Sequence, residues 1–78
     1  MKKKIEIGID RWIEIEHIDA DRWQVIHSHR SHVQAEQGDL VRDTNAGWIV
    51  FRDINASIPK YRIPSSMKVT NLDWGEEE

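Results

Sequence analysis

The stretch "KKKIEIGIDRWIEIEHID", residues 2–19, alternates apolar and charged residues, and few folds accommodate that. Ile5, Ile7 and Ile9 stand among Lys4, Glu6 and Gly8, and Ile13 and Ile15 continue against Glu14 and Glu16. A period of two puts the isoleucines on one face and the charges on the other, as a half-buried strand requires. The β-branch of isoleucine favours the same extended backbone. Gly8 to Arg11 is the natural turn, which makes the segment a hairpin; one long strand bent at a bulge is the alternative.

The remaining punctuation points the same way. Asp19-Ala20-Asp21 is a break, because acidic side chains bond locally to backbone and favour turns and caps. Beyond it two readings stand open. "RWQVIHSHR" is either a strand with Trp23, Val25, His27 and His29 on one face, or the start of a helix capped by Asp21 and closed by Gly38. The strand is the leading expectation, with at most a short helical turn over residues 31–37. Leu40 to Asp43 and Trp48 to Ile54 flank "TNAG", a hairpin signal, and "WIVF" is the candidate central strand. Pro59 and Pro64 bracket "KYRI", and proline cannot donate to a ladder, so this segment belongs at an edge. "MKVTNLDW" closes the fold. The expected architecture is mainly β, an antiparallel sheet or barrel of about five to seven short strands. An α+β chain with a helix within residues 21–37 is the alternative. The expected core is Ile5, Ile7, Ile13, Ile15, Val50 and Ile54, or their facing neighbours. One domain covers residues 1–74, and residues 75–78 form an acidic tail.

Size and composition narrow the function classes. A chain of 78 residues buries only about 60–65% of its unfolded surface, which leaves a thin core and little room for a deep catalytic cavity. There is no cysteine, hence no disulfide and no thiolate metal ligand, which suits a reducing compartment. "IEIGIDRWIEIEH" is too charged to serve as an export segment behind the three lysines. The simplest expectation is cytoplasmic, without a membrane span. Net charge is −3, but Asp73, Glu76, Glu77 and Glu78 leave +1 for residues 1–72, and −2 once Lys2, Lys3 and Lys4 are set aside. A nearly balanced body argues against a general nucleic-acid binder, which carries a basic stripe.

"VIHSHRSHV", residues 25–33, is the chain's strongest hint of chemistry. On a strand His27 and His29 share a face, and two imidazoles with Asp39 are a workable start to a divalent-metal site. Residues 25–39 resemble, in part, the signature of the JAMM metalloproteases. His27, Ser28 and His29 match its His-Ser-His, and Asp39 stands for the downstream aspartate. The resemblance implies zinc on His27, His29 and Asp39, with a distant glutamate activating water. The pattern departs at Arg30, where the family has proline, at Gln37, where it has serine, and at Asp39, one residue short of the family spacing. The plainer reading is an exposed polar segment, or a partner-binding patch in which Arg30 and His32 supply donors and the imidazoles a charge that changes near pH ~6.5.

Four tryptophans are many for a small core. Trp23 and Trp48 fall in phase with core positions. Trp12, out of phase with the isoleucines, and Trp74, beside the acidic end, are candidate interface anchors. Lys60, Tyr61 and Arg62, extended by Arg52, are the candidate nucleic-acid contacts, through ring stacking and phosphate pairing. The leading expectation is a cofactor-free, non-catalytic binding protein that acts on another protein as subunit, adaptor or stoichiometric inhibitor, through Trp12, Trp74, Arg30 and His32. A nucleic-acid-binding small barrel and a metal-dependent function at His27 and His29 are the alternatives, and self-association stays open.

Overall fold

The computed structural model describes residues 1–72, so Trp74 and the acidic segment 75–78 lie outside the described residues. Among the described residues every element is a strand: β1 (Lys2–Gly8), β2 (Arg11–Asp19), β3 (Arg22–His29), β4 (Leu40–Thr44), β5 (Gly47–Phe51), β6 (Tyr61–Pro64) and β7 (Val69–Asn71). They form one antiparallel sheet in the order β6-β5-β4-β3-β2-β1-β7. β1 to β6 are a meander, and β7 returns to the outer side of β1.

That order forces curvature. Six strand spacings would hold the edges of a flat sheet about 29 Å apart. Residues 65–68 join those edges, and five Cα steps from Pro64 to Val69 reach at most ~18 Å. The sheet therefore curls into a half-barrel with its isoleucine face inward. Ile5, Ile13, Ile15, Val25, Val41, Val50 and Ile63 are buried almost completely, with Ile7, Trp23 and Trp48 beside them. Met67, on the connection between the edges, packs against this core. Trp23 and Trp48 meet edge to face at 5.6 Å, with the Lys3 ammonium over both rings.

The first hairpin turns at Ile9-Asp10, since Gly8 pairs with Arg11. The helical alternative for residues 21–37 is overturned: β3 occupies its first half, and residues 31–35 make a single turn in which Ser31 O accepts from Gln34 N and Ala35 N. That turn lays Ala35 onto the end of the core.

Three expectations need correction. Trp23, Val25, His27 and His29 do not share a face. Glu14 pairs with His27 while the next residue, Ile15, pairs with Val25, so Ile26 is a bulge that shifts the alternation by one. His27 and His29 consequently point outward and Ser28 inward. "WIVF" is not central either: β5 lies next to the β6 edge and β3 holds the middle. Its second apolar face, Ile49 and Phe51, is half-buried, and Phe51 shares a cleft with Ile54 and Ala56 of the following loop. Ile54 is not core. The strand ends at Phe51 and an Asp53 turn follows, with Asn55 N donating to the Asp53 carboxylate, so the period-two count no longer applies and Ile54 is 67% exposed. "KYRI" supplies the expected edge strand, β6.

Gly47 sits in the left-handed region at φ +126°, and a Cβ there would collide with the Ile63 carbonyl oxygen. Gly47→Ala should therefore destabilise far beyond an ordinary surface change, and Ile13→Ala should cost about 2–5 kcal/mol through the cavity left behind. Ile54→Ala should stay within about 0.5 kcal/mol. Urea denaturation of the three variants checks the set; an Ile54 variant as damaged as Ile13→Ala would contradict the assigned core.

Candidate functional site

In an antiparallel meander alternate connections fall at opposite ends. The β1–β2 turn (Ile9-Asp10), the β3–β4 loop (residues 30–39) and the β5–β6 loop (residues 52–60) therefore share one end. Each carries a large aliphatic side chain in water: Ile9 is 98% exposed, Val33 84% and Ile58 80%.

Ion pairs fasten these loops into one rim. The Asp10 carboxylate accepts from Arg30 Nη1 at 2.7 Å and lies 3.4 Å from His29 Nε2, linking the first turn to the β3–β4 loop. Asp10 and Arg30 both adopt positive φ, which turns the chain so that the two meet. Lys60 Nζ donates to Asp39 at 2.8 Å and to Glu36 at 3.2 Å, linking the β3–β4 loop to the end of the β5–β6 loop. Asp39, itself buried, also accepts from Glu36 N at 2.8 Å. Burial alone would depress the Lys60 pKa, but the hydrogen bonds to Asp39 and Glu36 outweigh it and hold the ammonium above its usual value.

On the outer face next to this rim, Trp12 stacks on His29 with ring centroids 3.8 Å apart, and the Lys4 ammonium lies 4.3 Å from the indole centroid. Such stacking and cation–π contacts contribute about 0.5–1 kcal/mol each. Trp12 is thus half-buried against its neighbours, and its Nε1 is buried without a hydrogen-bond partner. Arg30 and His32 are exposed at the rim. The four sequence-derived partner residues therefore divide: Trp12, Arg30 and His32 gather at one end of the barrel, and Trp74 lies outside the described residues.

The other candidate sets are not assembled. His27 is exposed opposite Glu14, His29 is engaged with Trp12 and Asp10, and Asp39 is bonded to Lys60. Among the described residues no group of three or more His, Asp or Glu is placed to hold one metal ion. In the "KYR" segment Lys60 is tied to Asp39, the Tyr61 ring packs against the core, and Arg62 points to the opposite face. Arg52 is exposed on the β5–β6 loop. The chain matches no protein-family model, no curated protein and no solved structure.

Sequence reasoning missed Ile9, Val33 and Ile58. Ile9 counts as a core position by alternation, and only its place in the Gly8–Arg11 turn marks it out. The Lys60 link leads to a test. A pKa raised on folding contributes stability that is whole below the ordinary lysine range and is lost as pH rises through the raised value. Lys60→Met should cost about 2 kcal/mol by leaving the Asp39 carboxylate without its cation. The gap between parent and variant should hold from neutral pH to roughly pH 10, then narrow. Denaturation midpoints across that range measure it.

Proposed function

We propose that this chain is a small non-catalytic binding module that works by docking the loop-bearing end of its barrel onto another protein. The observation that carries the reading is the coincidence of Ile9, Val33 and Ile58, one on each of three loops, at a single end. Isolated exposed aliphatics are ordinary on any surface, but one on each of three loops at the same end offers apolar area that a partner protein can cover. Loops positioned by a rigid scaffold are also where binding function concentrates.

The charged groups around the patch suit recognition better than reaction. Asp10 with Arg30, and Lys60 with Asp39 and Glu36, satisfy one another and keep the loops in place. Arg30 and His32 offer polar contacts at the margin, and Trp12 adds aromatic area beside them. An aliphatic centre within a polar rim is the usual anatomy of a protein interface.

The test uses the triple variant Ile9→Ser, Val33→Ser, Ile58→Ser. Each exposed substitution should change stability by less than about 0.5 kcal/mol, so the variant should melt near the parent. Cross-linking in a native extract should join the parent, and an Ile18→Ser control at the opposite end, to a partner that the triple variant no longer captures. A parent that captures nothing, or a triple variant that captures the same protein, removes the reading.

A further inference from the structure

A second surface lies on the outer face of the other half of the sheet. Arg22 stands opposite Arg42, Arg42 opposite Ile49, and Ile49 opposite Arg62, so three guanidinium groups lie in one transverse row across β3 to β6. The row spans three strand spacings, about 14 Å. Like charges directly opposite on neighbouring strands destabilise a sheet. Asp21 accepts from Arg42 Nε at 3.1 Å, but Arg22 and Arg62 make no hydrogen bond or ion pair among the described residues. Beside the row the β5–β6 loop folds back to form a cleft of about 270 Å³, bounded by Arg22 and Arg42 and lined by Leu40, Phe51, Ile54 and Ala56. It accounts for Ile54, which belongs neither to the core nor to the loop rim.

We propose that this row and cleft dock an extended acidic segment of a partner protein, with carboxylates on Arg22, Arg42 and Arg62 and one large apolar side chain in the cleft. The row has the length of about four residues of extended chain, so a peptide matches it and a single small anion does not. Guanidinium groups pair with carboxylates through two parallel hydrogen bonds, which gives direction as well as attraction. The carboxylates of Asp21 and Asp53 stand beside the arginines, so the surface is a broken cationic row and not the continuous basic stripe that a phosphate backbone follows. Phe51 is half-buried in the cleft, placed to pack on an apolar side chain rather than to offer an open ring to a base. The chain as a whole carries −3, so attraction of an acidic peptide reads this local row against the overall charge. This surface stands independently of the loop rim.

Fluorescence anisotropy with the full chain tests it, using a labelled peptide Glu-Glu-Phe-Glu-Glu, its counterpart Lys-Lys-Phe-Lys-Lys, and a labelled oligothymidylate. Saturable binding of the acidic peptide, weakened by salt, is expected. Arg22→Glu and Arg62→Glu should each lower its affinity roughly tenfold. Arg62 is exposed and makes no ion pair among the described residues, so Arg62→Glu should melt near the parent, whereas Arg22→Glu, beside Asp21 and opposite Arg42, is compared at a temperature well below its own melting point. Lys68→Glu, next to β7, should leave affinity unchanged. Absence of saturable binding, equal binding of the lysine peptide, preference for oligothymidylate, or indifference to either arginine reversal would overturn the proposal.

Discussion

The short connection between β6 and β7 is the constraint on which the rest of the molecule depends. Residues 65–68 join strands that stand at opposite edges of a seven-stranded sheet, so the sheet has to curl until its edges approach. Curling turns a one-sided row of isoleucines into an enclosed core, with the near-complete burial of Ile5, Ile13, Ile15 and Ile63 as the result. Because apolar burial is the main favourable term in so small a chain, closure and stability are one property here.

The curled sheet also sorts function by position. Three connections converge on one end, where ion pairs tie them together; the β2–β3 and β4–β5 turns at the other end are tight. The outer face is divided as well. Over β1 to β3 it is occupied by Lys4, Trp12 and His29, which pack on one another through their rings and the ammonium group, and over β3 to β6 it carries arginines with fewer partners. One small scaffold thus presents exposed aliphatic side chains at one end and a row of arginines on its flank, at separate places.

Much of the fold was legible because alternation and turn chemistry are local. The isoleucines of β1 and β2, the turn after Gly8, the hairpin ending at Gly47 and the edge strand before Pro64 all follow from neighbouring residues. Less legible was anything that depends on pairing across the sheet. The bulge at Ile26 appears only as a mismatch between β2 and β3, yet it decides that His27 and His29 face outward. The arginine row draws one member from each of three strands, and no reading along the chain aligns Arg22, Arg42 and Arg62. The Lys60–Asp39 link joins residues 21 positions apart. The histidines crowd in sequence; Ile9, Val33 and Ile58, like the three arginines, are dispersed along it.

With seven strands in the curled sheet, β6 and β7 run in the same direction, so the seam between them is not a hairpin. β7 is held chiefly by a ladder of Lys3 with Asn71, Lys4 with Thr70 and Ile5 with Val69, plus bonds from Glu6 N to Lys68 O and from Leu72 N to Lys2 O. Those contacts join the two ends of the described chain and span the largest separation in sequence, which makes them the costliest pairing to form before the meander is in place. Backbone amides of β7 are expected to exchange sooner than those of β2 and β3. β7 is thus the latch of the half-barrel, set at its seam and far from the middle of the sheet.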